Sequence, residues 1–430
     1  MATLESPDTR AGASPSAADS LRALDLDFVR RQFPALDSDW IFLDNAGGSH
    51  VLTTVADRVR EYLLSTSVQL GATYGPSRLA AERVAAGVRA AAALVNAADP
   101  SEIVLGPSSS QLIGTLSRAM AEDLRPGDEI VVTNVDHEAN ITPWLRLAER
   151  GVILKTWKAN PETLDLDLAD LDALMTEQTR LVCFPHVSNV LGTLYPVAEI
   201  TRFVHDRQAR VCVDGVAYAP HRAVDVQAWD VDYYVFSLYK VYGPHQALMY
   251  GKRELLLDLA NINHVFIGKD ALPYKLLPGN LSFELTYGLP AIVEYLEELG
   301  RQAGAGEGRG EESRLAAAFA AIAGHEERLA EPVLAFLASK PHVRLYGCPV
   351  ADRDRRVPTI SFSVDGRHSS EIPTALDGYQ IGIRYGDFHA RRLIADLGLA
   401  DRGGVVRISM AHYNTLEEME KLVRALDEVI

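Results

Sequence analysis

The chain is expected to be α/β, a mostly parallel sheet flanked by helices, with a smaller α+β domain after it. Two observations support this. Through the centre, short β-rich runs alternate with segments of helical spacing. After a Gly-rich, charged stretch the order changes to helix, strand, helix. Alternating β and α elements build a parallel sheet covered by helices. With 430 residues, 47% of them hydrophobic, the chain can bury a core larger than one average domain's.

EIVVTNV (129–135), RLVCFPHV (180–187), RVCVDGV (210–216) and YYVFSL (233–238) have strand length and are dense in Val, Ile, Phe and Tyr. LADLDALMTEQ and VAEITRFVHDRQA lie between them, with apolar residues at spacings of three and four. RQAGAGEGRGEES (301–313) is poor in apolar residues and reads as a flexible connection. Beyond it, a helical stretch (314–339), the strand-like VPTISFSVD (357–365) and a closing helix are expected. Thr415 and Glu418 form a capping box at the start of that last helix. The resulting division is a disordered tail at 1–20, a large domain at 21–299 that includes the N-terminal segment, and a small domain at 300–430. No short repeat is present.

The formal net charge of −16 argues against nucleic acid or an anionic membrane as partner. No run of about 18 apolar residues is present, so no transmembrane helix is expected. The first 20 residues have neither the basic start nor the apolar centre of a secretory signal. The three cysteines, Cys183, Cys212 and Cys348, are too few and uneven for a disulfide framework, and a reducing cytoplasm is expected. Cys183 and Cys212 sit in apolar runs, as small core residues do.

Four features close strands, where ligands of open α/β sheets bind. GPSSSQLIGTL (106–116) is a small-residue turn entering a helix. Its backbone N–H groups, with Ser109 and Ser110, suit a phosphate, or the turn is an ordinary helix cap. His137, in DHEAN (136–140), suits stacking on an aromatic ring and proton transfer, or is a surface histidine. Asp214 ends a buried run, where a carboxylate is costly unless paired; a protonated pyridine nitrogen is one partner and a helix cap the alternative. Lys240, in SLYKVYGP (237–244), ends an apolar and aromatic run. Desolvation there would make its amine nucleophilic, although an isolated lysine is more commonly a surface residue. An aspartate about 26 residues before a lysine, each closing a strand, below a phosphate-binding turn, is the set that pyridoxal 5′-phosphate requires.

FLDNAGGSH (42–50), DHEANITPW (136–144), HVSNVLGTLYPV (186–197), VDGVAYAPH (213–221), FSLYKVYGPH (236–245) and VRISMAHYNTLEEMEKLV (406–423) together resemble the class V aminotransferase superfamily of pyridoxal phosphate fold type I. The resemblance runs over 28–430 and is strongest to the cysteine desulfurase-like branch. It implies that Lys240 forms the Schiff base and later shuttles the α-proton, that Asp214 pairs with the pyridinium nitrogen, and that His137 stacks on the ring. It implies that Ser109, Ser110 and Ser237 hold the phosphate, with His221 nearby. Asn189 would lie beside the phenolic oxygen and the substrate carboxylate, and Arg407 would clamp that carboxylate. A homodimer with active sites at its interface is implied, with Asn280 of PGN (278–280) falling where a neighbouring subunit reaches the phosphate in place of the family's threonine. No metal is implied.

Three positions depart from the family. Tyr239 stands for the usual histidine before the lysine, and Ala217 for a common glutamine; the hydroxyls of Tyr218 or Tyr239 could compensate. In one desulfurase group the persulfide-forming cysteine lies in Arg-Thr-Gly-His-His-Cys-Ala, where this chain reads Arg384-Tyr385-Gly386-Asp387-Phe388-His389-Ala390. An imidazole cannot store sulfur as a persulfide. Cys348, about forty residues upstream, is expected outside the site. The expectation is therefore β-elimination from a cysteine S-conjugate, with Tyr385 or His389 near the leaving group. A desulfurase, an aminotransferase or an epimerase similar to isopenicillin N epimerase are the alternatives, and a non-catalytic cofactor sensor is a rival of another class.

Overall fold

The computed structural model describes residues 22–304 and 310–430. The tail expected to be disordered lies outside the described residues. Among these residues a seven-stranded sheet forms from β1 (Ile103–Gly106), β2 (Glu129–Thr133), β3 (Ile153–Trp157), β4 (Thr179–Pro185), β5 (Arg210–Asp214), β6 (Tyr233–Ser237) and β7 (Ala247–Gly251). The spatial order is β1-β7-β6-β5-β4-β2-β3. All pairings are parallel except those of β7, which runs antiparallel to β1 and β6.

The central strands are apolar on both faces because helices cover both. Alternation sorts their side chains into two layers. Val182, Phe184, Val211, Val213 and Phe236 join one core, and Leu181, Cys183, Cys212, Tyr233 and Val235 the other. Cys183 and Cys212 are fully buried and directly opposed on β4 and β5. Each Val, Leu or Phe buried this way contributes about 1.5–3 kcal/mol, which holds the strand ends in place.

Helix α1 (Ser109–Met120) returns from β1 across the sheet. Near the expected domain boundary, α2 (Pro290–Ala303) and α3 (Glu311–Ala338) pack together. The stretch 301–313, expected to be a flexible connection, is helical at both ends: α2 runs to Ala303 and α3 begins at Glu311. Leu299 is buried in the large core and Ala303 is buried as well, which holds the end of α2 despite Gly300. The first half of α3 packs on that core through Leu315, Phe319 and Ile322, and the second half on the small domain through Leu329, Val333 and Leu337.

The small domain carries an antiparallel sheet of β8 (Val343–Tyr346), β9 (Thr359–Val364), β10 (Arg384–Gly386) and β11 (Val405–Ser409), in the order β10-β11-β9-β8. The closing helix α4 (Leu416–Val429) begins with the expected box: Thr415 Oγ1 accepts from the Glu418 N–H, and Glu418 Oε2 from the Thr415 N–H. One placement differs from the expected division. Ile41–Phe42 pairs with Ile381–Gly382, and Leu43 is buried in the small domain's core. The N-terminal segment thus ties the small domain to the site.

Candidate active site

A cavity opens at the carboxyl ends of β2, β4, β5 and β6. Among its walls are Ser109, Ser110, His137, Asn189, Asp214, Ser237, Tyr239 and Lys240. Its phosphate-suited end is made by α1. Ser108 caps that helix by accepting from the Gln111 N–H at 3.2 Å. Ser108 is the cap, which leaves the hydroxyls of Ser109 and Ser110 to the cavity wall. The Ser109 hydroxyl lies 2.7 Å from that of Ser237, which ends β6. Two hydroxyls and a helix N-terminus favour an anion there.

Lys240 ends a short 3-10 turn that follows β6. The motif at 42–50 holds this turn. Ser49 donates its N–H and its hydroxyl to the Tyr239 carbonyl, both at 3.2 Å, and its Oγ accepts from the Tyr242 N–H. Burial lowers the Lys240 amine to about 8, helped by the Arg407 charge and opposed by Asp214 and Asp44. Asp214 is buried, and burial raises it to about 6 against the pull of the Val216 N–H and Lys240. Burial lowers His137 to about 4, with Lys240, His389 and Arg407 adding to the effect. Its Nδ1 accepts from the Ala139 N–H. A neutral imidazole, a carboxylate and an amine that loses its proton more readily than an ordinary lysine thus share one cavity.

At the mouth, the rings of His137 and the exposed His389 lie 5.0 Å apart, and the His389 carbonyl accepts from the Glu138 N–H. Phe388 and His389 both adopt positive φ, 50° and 59°, which non-glycine residues rarely do. Asn189 Nδ2 donates to the Phe388 carbonyl at 2.8 Å, while Asn189 Oδ1 is buried without a partner among the described residues. Arg407, on β11, is buried; it donates to the Asn189 carbonyl at 3.1 Å and to Asp44 Oδ1 at 3.3 Å. Its Nε has no partner among the described residues, and the Phe388 ring lies 3.7 Å from the guanidinium carbon. Arg407 therefore backs the cavity beneath Phe388.

These groups fit pyridoxal phosphate: hydroxyls and a helix N-terminus for the phosphate, a carboxylate for the ring nitrogen, an amine for the aldehyde. The partnerless Asn189 Oδ1 and Arg407 Nε leave polar atoms for a ligand. The sequence profile described as Aminotransferase class-V matches residues 41–422. The chain belongs to the class V aminotransferase family. It is 41% identical to Aminotransferase-like protein FGM3 of Gibberella zeae, over 96% of this chain and 100% of that one. It is 32% identical to the cysteine desulfurase-like protein ustD of Aspergillus flavus, over 95% and 91%. The crystal structure of the cysteine desulfurase CsdA (S-sulfonic acid) from Escherichia coli superposes with a TM-score of 0.80 at 28% identity, covering 95% of this chain and 99% of that one.

This class V enzyme is thus pyridoxal phosphate-dependent and has fold type I. It stands in the desulfurase-like branch without the cysteine at the desulfurase position, which is His389. Three expectations need correction. His221 does not line the cavity: the turn after β5 carries it into the interface with α3, where Nδ1 meets Glu326 Oε1 at 2.8 Å. Tyr385 does not either. On β10 it faces away from Arg384, which reaches Asp44, and its ring lies 6.2 Å from that of His368. The Tyr218 hydroxyl does not compensate for Ala217, because it donates to the Ala223 carbonyl and its ring stacks on His186. Tyr239 does line the cavity, stacked on His245 at 4.7 Å. Asn280 is exposed beside a neighbouring cleft with Gln111 and His245.

Asp44, Ser49, Asp136 and Phe388 take part in the site although no role was assigned to them from sequence. Each lies inside a stretch singled out there; Asp44 and Ser49 find their partners far along the chain, whereas those of Asp136 are its neighbours His137 and Asn140. Cys348 is buried in a different cleft, beside Thr193 and Arg355. Among the described residues no helix is long and apolar enough to cross a membrane.

Proposed function

We propose that this enzyme is a C–S β-lyase acting on a cysteine S-conjugate or a similar amino acid. The observation that carries it is His389 against His137 at the mouth, with all three cysteines buried elsewhere. The site offers an imidazole, not a sulfur acceptor, where the side chain of a bound amino acid would lie. The cofactor, when bound, supplies an electron sink for the pair left when the Cα–H bond breaks. Lys240 would hold the cofactor through its aldehyde, and its amine is the base placed to take the α-proton. Asp214 holds the ring nitrogen, and Ser109, Ser110 and Ser237 hold the phosphate. Asn189 and Arg407 orient the substrate carboxylate once Phe388 shifts. His389 gives a proton to the departing thiolate as the Cβ–S bond breaks. The balance is one conjugate and one water to pyruvate, ammonia and a free thiol.

A homodimer fits this reading: Asn280 is exposed beside the phosphate end, and Val265 and Phe266 are exposed on the preceding segment. A cytoplasmic location is part of the same proposal.

The test is pyruvate release from a panel of S-alkyl cysteines and free cysteine. Lys240-dependent pyruvate supports the lyase. No pyruvate from protein loaded with cofactor overturns it in favour of epimerisation or transamination. Two variants refine the test. His389→Ala is expected to slow poor leaving groups roughly 10²-fold, within the usual range for a general acid, and good ones less. Cys348→Ser is expected to leave every rate within about twofold, because its surface cleft is separate from the cofactor cavity; sulfide release that needs Cys348 would instead identify a desulfurase.

A further inference from the structure

A second buried carboxylate lines the cofactor cavity. Asp136 follows β2 and Asp214 ends β5, and with β4 between these strands both acids come to the same sheet edge. Asp136 is 2% exposed and Asp214 5%. Their partners differ. Asp136 Oδ1 accepts from the His137 N–H and Oδ2 from Asn140 Nδ2, each at 2.7 Å, and both donors are neutral. Asn140 is oriented in turn, its Oδ1 facing Trp144 Nε1 at 3.4 Å and Cys212 Sγ at 3.7 Å. Asp214 has the Val216 N–H at 2.8 Å and the charge of Lys240. Titratable groups around Asp136 include Asp214, Glu138, Tyr195, Cys183 and a neutral His137, none of them a cation, while Lys240 in the same cavity wall acts on Asp214.

We propose that Asp136 is protonated at neutral pH while Asp214 stays ionised, so that Asp136 is a positioning residue for the charge Asp214 turns toward the cofactor ring. Two like charges in one desolvated cavity cannot both ionise cheaply, and the proton settles on the acid without a cation. Burial pushes Asp136 well above the usual carboxylate range, and the Asp214 charge pushes it further. The inference rests on the assignment of Asp214 to the ring nitrogen and is independent of whether the enzyme is a lyase.

Infrared difference spectra of the holoenzyme test it. The wild type is expected to show the carbonyl band of a protonated carboxylic acid at neutral pH, absent from Asp136→Asn. In Asp214→Asn, reconstituted with excess cofactor, the band should vanish at a pH lower by about one unit or more, because the like charge is gone. The visible band of the bound cofactor should stay at its wild-type position in Asp136→Asn at neutral pH, since the amide and the acid are both neutral. Absence of the infrared band from the wild type overturns the proposal. So does its persistence in Asp136→Asn, or a visible shift in that variant as large as that of Asp214→Asn. If Asp136→Asn does not fold, the wild type and Asp214→Asn decide the matter.

Discussion

Lys240→Ala is expected to lower turnover by at least about 10⁴-fold, the upper end of what a proton-transferring group contributes, because the nucleophile is lost with it. Lys240 supplies the primary amine in the cavity wall. Its depressed value, about 8, sets the sign of the pH effect. Below it the amine is increasingly protonated and cannot attack an aldehyde, so capture of cofactor by the apoenzyme should slow as pH falls. The variant should still fold, since it removes a desolvated cation. It should lack the visible band of covalently held cofactor, and a small exogenous amine should restore part of the activity. Lys240→Arg should fail as well, because a guanidinium stays protonated. Turnover near wild type in Lys240→Ala, measured as pyruvate release, would falsify the whole scheme.

Arg407→Ala is expected to cut kcat/KM roughly 10²- to 10⁴-fold, mostly through KM. Two charge-assisted hydrogen bonds to a carboxylate are worth about 1.5–3 kcal/mol each, and every 1.4 kcal/mol is about tenfold. Arg407 and Arg384 sit opposite each other on β11 and β10, and both reach Asp44. Two guanidinium groups against one carboxylate leave room for a second anion, which is the charge a substrate carboxylate brings. Arg407→Lys should recover little, because an ammonium cannot span Asn189, Asp44 and a carboxylate as a planar fork does. Steady-state kinetics with an amino acid and its amide separate the outcomes. If both substrates lose equally, Arg407 holds the scaffold and not the carboxylate.

Much of the fold was legible in the sequence. The four central strands match their apolar runs to within one or two residues, because strands buried on both faces must be apolar throughout. The capping box of α4 was legible because both partners lie within one helical turn. The stretch at 301–313 misled, since its polar composition hid the end of α2 at Ala303 and the start of α3 at Glu311.

Alone, the sequence determined the class of chemistry. Lys240, Asp214, His137 and the serine turn each close a strand or open a helix, and strand ends in a parallel sheet converge on one edge whatever the loops do. The tertiary structure decided which other residues join them. His221 and Asp214 are seven residues apart, yet only one faces the cavity, because the intervening turn sends the other to α3. Asp44 reaches Arg407 across more than three hundred residues, and Phe388 covers that guanidinium in a left-handed conformation. Such contacts depend on how two domains and an N-terminal segment pack. Local pattern fixes where a chain forms strands and helices, but not which distant side chains meet across a domain interface.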